Sequence, residues 1–350
     1  MILDGQSPPS IAAAAQALQR GELLGLPTET VYGLAADASN DAAVVKIFAA
    51  KGRPANHPLI VHVASAQGVQ RFASHVPEFA QKLMEAFWPG PLTLILPRRV
   101  EVAAVAAGGQ NSVGLRCPSH PVALAVLQGA QALGVFGVAA PSANLFGRVS
   151  PTTAAHVAGE FGPELLILDG GACDVGIEST IIDCTRAAPV LLRPGVITPQ
   201  QLSDACGLAV ITPNVPDADA PRASGTLASH YAPAAKVQLM TAAELQNAIS
   251  AYSNANAKTC EGGAASVPAA GAHIVAIWSR SPVLLPSSNA ANFNVALMPS
   301  SASDCAHQLF AQLRAFDRQG VAHIWVEAPP LTSAWDGVRD RLTRAATPTR

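Results

Sequence analysis

The first two hundred residues repeat one pattern: a short apolar run closes on a loop rich in Pro, Gly, Ser and Asn, and a helical stretch follows. Runs such as "PLIVHV", "LTLILP", "LLILDGG", "STIIDC" and "PVLLRPG" are too short and too rich in branched residues to be helices. The stretches between them carry helix signals. "NDAAVVKIFAAKG" opens on an Asn cap and stops at Gly52; "VPEFAQKLMEAFW", "HPVALAVLQGAQAL" and "TTAAHVAGEF" follow, the last with a cap at Ser150 or Thr152. Near the N-terminus "IAAAAQALQRGE" reads as a short amphipathic helix. The alternation restricts the chain to a mixed α/β domain with much sheet, and its sites belong on the loops at strand ends.

After Thr198 the pattern stops, and "ITPNVPDADAPRASGTLASHYAP" reads as an extended Pro-rich linker. From Lys236 a second alternation begins: "KVQLM" (strand), "TAAELQNAISAYS" (helix), "HIVAIWS" and "NVALMP" (strands), "SASDCAHQLFAQLRAFDRQG" (helix), "HIWVEAP" (strand) and "SAWDGVRDRLTRAA" (helix). This predicts a smaller open α/β domain of Rossmann-like type, interrupted by a low-complexity loop, "SNANAKTCEGGAASVPAAGA". The expected division is a catalytic domain over 1–200, a linker over 201–235 that covers the active site, and a C-terminal domain over 236–345.

Charge is scarce. Only 13% of the 350 residues are charged against 49% hydrophobic, and the net charge is -2. Neither half is basic, which argues against a broad electrostatic grip on nucleic acid. The six cysteines are scattered without a CxxC pair and read as reduced, buried thiols. With no basic N-terminal signal and no apolar run of about 18 residues, the chain is expected to be cytoplasmic and to bind no membrane. GxGxxG, Walker A, GxSxG and HExxH patterns are missing, so a nucleotide would be held by another device.

The few polar groups gather at strand ends. "AAKGRPANHPLIVHV" places Lys51, Arg53, His57 and His62 together, with Pro54 and Pro58 stiffening the loop. Cations on a rigid loop suit a polyphosphate; a solvated helix C-terminus is the plainer alternative, and a strand histidine such as His62 is ordinarily a core residue. "NSVGLRCPSHP" ends a strand at Arg116, which calls for a carboxylate or phosphate; the alternative is an ion pair with an acidic residue elsewhere. "VAAPSANLFGRVSPTT" offers Ser142 and Asn144 among small residues, or merely a turn before a helix. "DGGACDVGIESTIIDC" brings Glu178, Ser179 and Thr180 to a strand head, and "LLRPGVIT" brings Arg193. In "LPTETVYGLAADA" a carboxylate and two threonines sit between apolar residues, with Tyr32 as a possible core residue. Tyr231 in "SHYAP" lies in the linker and needs a docking surface or a ligand.

Taken in order, "PTETVYGL", "KGRPANHPL", "WPGPLTLIL", "VGLRCPSHP", "APSANLFGRVSPT", "DGGACDVGIESTI", "LLRPG" and "HYAP" resemble the threonylcarbamoyl-AMP synthase family, with its twisted mixed-sheet YrdC-like catalytic domain, in the longer two-domain form. The resemblance covers about Leu23 to Pro233 by motif and the C-terminal domain by coarse pattern. It implies condensation of L-threonine, bicarbonate or CO2 and ATP into threonylcarbamoyladenylate with release of pyrophosphate. A separate machinery then modifies adenosine 37 of ANN-decoding tRNAs, and direct tRNA binding by this chain is allowed but not required. It implies threonine contacts at Thr30, His62, Arg116, Ala140 and Ser179. ATP contacts are implied at Arg53, His57, Ser112, Ser142, Asn144, Arg193 and Tyr231, with Lys51 and Arg53 as the catalytic groups. With few carboxylates nearby, Mg2+ is expected to arrive with ATP and not in a protein cage. The chain reads "APRASGTLASHYAP" where many members carry Pro-Gly-Met, and His57 stands where some carry lysine. The rival readings are an RNA-binding module and a carbamoyltransferase with another acceptor.

Overall fold

The computed structural model describes residues 1–213, 220–227, 230–260, 274–287 and 290–347, with backbone alone for 255–260. The chain divides into two compact units. The first comprises Met1–Phe146 and Ser150–Thr226; the second comprises Gly147–Val149 and Leu227–Arg350.

The first unit is built on a ten-stranded mixed sheet. Its strands are β1 (Ile2–Asp4), β2 (Leu24–Leu26), β3 (Gly33–Asp37), β4 (Ile60–His62), β5 (Leu92–Pro97), β6 (Ser112–Arg116), β7 (Val138–Ala139), β8 (Leu166–Asp169), β9 (Thr180–Asp183) and β10 (Val190–Arg193). They lie in the order β1-β8-β2-β3-β7-β4-β6-β5-β9-β10. Most central strands are buried on both faces, which is why they read as continuous apolar runs. On one face helices α1 (Pro8–Gln19) and α4 (Pro121–Ala132) pack Ala14, Leu18, Val122 and Val126 against Leu24, Leu26 and Val138. A larger core joins α2 (Asp41–Lys51), α3 (Glu78–Phe87), α5 (Ala154–Phe161) and α6 (Pro199–Cys206) through Val44, Ile47, Phe48, Leu83, Val157 and Leu202. Each fully buried aliphatic side chain of this kind contributes about 1.5–3 kcal/mol.

Helix ends set where the polar groups emerge. The Asn40 side chain accepts the Ala43 N–H at the start of α2, and Gly52 closes that helix in the left-handed region (φ 61°). A glycine takes that conformation at no steric cost, so the chain turns sharply between Lys51 and Arg53. The Thr198–Gln201 capping box starts α6 five residues after Arg193 leaves the sheet.

Several expectations need correction. "LPTETVYGLAADA" begins on the last residue of β2, turns through 27–32 and continues as β3, which pairs antiparallel with β2. The cap of α5 is Thr153, which accepts from His156 N–H, not Ser150 or Thr152. Ser150 instead donates to the buried Glu178 carboxylate. Helix α6 occupies part of the stretch read as linker, because Thr198 and Pro199 start a helix that Gly207 (φ 75°) ends. Ile211 bridges back to Val190.

The second unit has four parallel strands, β11 (Lys236–Met240), β12 (Val275–Ser279), β13 (Phe293–Leu297) and β14 (His323–Glu327), in the order β11-β14-β12-β13. Helix α7 (Ala242–Cys260) places Leu245 and Ile249 on Val275, Ile277, Phe293 and Trp325. This helix runs seven residues past Ser253, into sequence expected to be a low-complexity loop; the rest of that loop, 261–272, lies outside the described residues. Helices α8 (Ala302–Arg318) and α9 (Asp336–Ala346) bury Leu309, Leu313, Phe316 and Leu342. Cys117, Cys173, Cys184, Cys206 and Cys305 are buried free thiols. Among the described residues no helix is long and apolar enough to cross a membrane.

Gly195, just after β10, gives a direct test of packing beside Ser179 and Thr180. A Cβ there would lie 2.5 Å from the Thr180 backbone nitrogen. Gly195→Ala should lower stability by about 1–3 kcal/mol, as overpacking does, read as a fall in the urea unfolding midpoint.

Candidate active site

Strand register assembles the site. Cα pairing aligns His62 with Arg116 across β4 and β6. Thr93 pairs with Ile181 across β5 and β9, and Ile181 pairs with Arg193 across β9 and β10. Since β5 and β6 pair Leu94 with Leu115, Thr93 falls beside Arg116. His62, Arg116, Thr93 and Arg193 therefore belong to one row across the sheet, though the sequence spreads them over more than a hundred residues.

At one part of the row Arg116 is fixed on all sides. Its Nη1 donates to Thr30 Oγ1 at 2.8 Å and its Nε to the Gly90 carbonyl at 3.2 Å. Its Nη2 lies 2.7 Å from Glu29 Oε1, with both side chains about 5% exposed or less. Thr28 Oγ1 lies 2.9 Å from Thr30 Oγ1 and donates to the Val31 carbonyl. Burial works against ionisation of Glu29, but the Arg116 guanidinium outweighs it and holds the carboxyl below its usual range. The ion pair that was one reading of Arg116 is present, and its acid is the glutamate of the Thr-Glu-Thr turn.

His62 is buried and its Nδ1 makes no hydrogen bond. Burial first, then the neighbouring Arg116 charge, pushes it down to about 3. It is a neutral imidazole at physiological pH. Ala140 lies beside this strand, its N–H donating to the Ile60 carbonyl at 3.0 Å.

Farther along the row, Thr93 Oγ1 and Ser179 Oγ lie 2.7 Å apart. Arg193 donates from Nη2 to Ser179 Oγ and from Nε to the Ser179 carbonyl, each at 3.1 Å. Its Nη1 reaches the Ser224 carbonyl at 2.9 Å. Ser224 also meets Arg53, whose Nη2 lies 3.3 Å from Ser224 Oγ and 2.9 Å from the Pro58 carbonyl. One serine thus joins Arg53 and Arg193. The segment around it is tied down by Arg222, whose N–H donates to Gln110 Oε1 at 2.7 Å. Ser112 lines a pocket with Pro58, Ile60, Thr93, Gly114 and Ser224.

Lys51 leaves the end of α2 and turns inward, donating to the Ser142 and Asn144 carbonyls. Burial, then the nearby Arg53 charge, drives its ammonium well below the ordinary lysine range. His57 stacks edge-on against Phe146 at 5.5 Å, with the Arg53 guanidinium 5.6 Å from the same ring. Burial, then Arg53 and Arg222, lowers His57, so this position carries no charge at neutral pH.

Tyr231 belongs to the second unit. It is buried there with φ 60°, stacked 5.4 Å from Phe310 and under the Arg341 guanidinium. Tyr32 is a core residue whose hydroxyl donates to the Gly171 carbonyl at 2.7 Å. No group of three or more His, Cys, Asp or Glu suited to a metal occurs among the described residues. Sequence reasoning passed over Glu29, Thr93 and Ser224. Glu29 had a signal, since an arginine emerging from an apolar strand needs an acid and the Thr-Glu-Thr turn offers one; Thr93 and Ser224 had none.

His62 sets a measurable pH dependence. Its folded value is depressed below the unfolded 6.5, so the unfolded state binds the extra proton and stability falls as pH drops below about 6.5. The group contributes up to about 1.4 kcal/mol per pH unit in that window. Denaturation between pH 6.5 and 5 should be steeper for the natural chain than for His62→Gln; parallel slopes would contradict the burial argument.

Comparison with known proteins shows the family. Residues 16–195 match the Sua5-YciO-YrdC family model, described as telomere recombination, and residues 197–347 match the model of the threonylcarbamoyl-AMP synthase C-terminal domain. The Bacillus subtilis threonylcarbamoyl-AMP synthase is 36% identical over 97% of this chain and 93% of its own length. The Pyrococcus abyssi enzyme of that name is 45% identical over 65% of this chain and 66% of its own. The crystal structure of P. abyssi Sua5 complexed with L-threonine superposes with a TM-score of 0.82 at 34% identity, covering 96% of this chain and 94% of that one. A P. abyssi Sua5 variant with a histidine and a tyrosine replaced by alanine gives 0.85 at 32% identity, covering 99% and 96%. The chain belongs to the threonylcarbamoyl-AMP synthase family.

Proposed function

We infer that this chain makes L-threonylcarbamoyladenylate from L-threonine, bicarbonate or CO2 and ATP, releasing pyrophosphate. This is the first step towards N6-threonylcarbamoyladenosine at position 37 of ANN-decoding tRNAs, and a separate machinery consumes the product. The observation that carries the reading is the gathering of buried basic side chains, with Arg53 and Arg193 meeting at Ser224 and Arg116 on the same strand row as Arg193. Among the described residues the first unit buries four Lys and Arg side chains, Lys51, Arg53, Arg116 and Arg193. Basic donors held in fixed positions favour an anionic ligand, and a triphosphate is such a ligand.

Arg116 takes the threonine carboxylate, with Thr30, His62, Ala140 and Ser179 around the rest of the amino acid. The complex of P. abyssi Sua5 with L-threonine supports this end of the assignment. Hydroxyl groups at Thr30 and Ser179 select for a side-chain OH, because an analogue lacking it leaves buried polar groups unpaired. Arg53, Arg193 and Lys51 take the phosphates, with Ser112, Ser142, Asn144 and His57 as further ATP contacts. Mg2+ enters with ATP. Phosphate oxygens near Lys51 would restore its ammonium form, reversing the effect of burial.

The chemistry needs no covalent enzyme intermediate. Neutral threonine amine adds to CO2, the carbamate oxygen attacks the α-phosphorus, and pyrophosphate leaves. The protein positions both partners and stabilises charge on the leaving group, and such positioning offsets about 7–11 kcal/mol of barrier. The hydrogen bond from Arg193 to Ser179 Oγ couples the phosphate and amino-acid ends, so both substrates meet across one side chain. The segment carrying Ser224 covers the mouth and shields the labile adenylate from water.

Arg53→Ala and Arg193→Ala should each cut pyrophosphate release by at least about 10²–10³-fold, the effect of losing one charge-stabilising donor, with far-UV circular dichroism unchanged. Serine should be used less well than threonine and valine hardly at all. Normal turnover in both arginine variants, or equal use of valine, would defeat the reading.

A further inference from the structure

We propose that Glu29 is a positioning residue for substrate recognition: its carboxylate holds the Arg116 guanidinium so that the donors left over face the amino acid's carboxylate. The proposal rests on the reading that Arg116 binds threonine. A guanidinium has five N–H donors. Gly90 and Thr30 take one each, from Nε and Nη1, while Nη2 meets Glu29 Oε1 at 2.7 Å as an ion pair without a formed hydrogen bond. One N–H on Nη1 and those on Nη2 remain, and a donor from each of the two nitrogens matches the two oxygens of a carboxylate.

Glu29 is itself anchored. Its carbonyl accepts the Val175 N–H at 2.8 Å, which fastens the turn at 27–32 to the loop ahead of Ser179. The Glu29 side chain therefore reaches Arg116 from a fixed base, while Thr30, the next residue, meets the other Nη. The pair also sets the charge of this end. With Glu29 ionised, Arg116 and Glu29 together are neutral, and the threonine zwitterion adds no net charge. Without the carboxylate the end would be a bare buried cation, which favours simple anions over an amino acid.

The test uses steady-state kinetics of the full chain with ATP, bicarbonate and L-threonine. Glu29→Gln, which keeps the shape and removes the charge, should raise the threonine KM roughly 10- to 100-fold, the value of a charge-assisted hydrogen bond. KM for ATP should stay within about 2-fold, and kcat should change less than the threonine KM. Glu29→Asp, which restores the charge on a shorter arm, should fall between. Inorganic phosphate and sulfate should inhibit Glu29→Gln more strongly than the natural chain. A folded Glu29→Gln with an unchanged threonine KM would overturn the proposal. So would equal damage to both substrates with no rescue by Glu29→Asp, which marks a purely structural role. If Glu29→Gln does not fold, Glu29→Asp decides alone: a raised threonine KM supports the role and an unchanged one refutes it. Absence of threonine-dependent product from the natural chain would overturn the underlying function and this role with it, and that control is separate from the variants.

Discussion

The structure depends on burying positive charge. Lys51, Arg53, Arg116 and Arg193 are each 8% exposed or less, in a chain with only 13% charged residues. Removing such groups from water is costly unless every donor is met. Backbone carbonyls at Pro58, Gly90, Ser142, Ser179 and Ser224 meet much of that demand. These carbonyls hold the basic side chains in fixed positions before any ligand arrives. That is the preorganised electrostatic environment a transferring phosphoryl group uses, with no reorganisation required at the moment of reaction.

The sheet converts this requirement into geometry. Side chains one pairing step apart across neighbouring strands lie on the same face, so a row through β4, β6, β5, β9 and β10 gathers residues from five separate segments. Helix ends supply the rest: Gly52 turns the chain from Lys51 to Arg53, and His120 caps α4 four residues after Arg116. Ser179 and Ser224 act as joints. The first ties Arg193 to Thr93, and the second ties Arg193 to Arg53. A change at Ser179 should therefore be felt at Arg193 and Thr93, and one at Ser224 at both arginines.

Much of this was legible in the sequence. Local signals located α2 and its caps, the apolar strands, Arg116 and Arg193 at strand ends, and Lys51 and Arg53 at a helix end. Those signals are short-range: Asn40 and Gly52 delimit a helix whatever it packs against. What was not legible depends on pairing between distant segments. Thr93 reads as one polar residue inside "LTLILP" until β9 is laid beside it. Ser224 sits in a Pro-rich stretch with no periodicity, and nothing local connects it to two arginines. The Thr-Glu-Thr turn was conspicuous, yet the partner of Glu29 is 87 residues away (29 to 116). Ser150 and Thr152 made plausible helix caps, but the site claims Ser150 for Glu178 and the helix starts one residue after Thr152's neighbour, Thr153. In the second unit the helical content of "SNANAKT" escaped notice because its composition resembles a linker.

The central claim is that one positive cavity joins an amino acid, a one-carbon unit and a nucleotide. Mass spectrometry of the product after incubation with ATP, L-threonine and 13C-bicarbonate tests it most directly. The account predicts a single species containing AMP, threonine and the labelled carbon, formed in step with pyrophosphate. ADP and phosphate as the only nucleotide products, or an adenylate lacking the label, would contradict it.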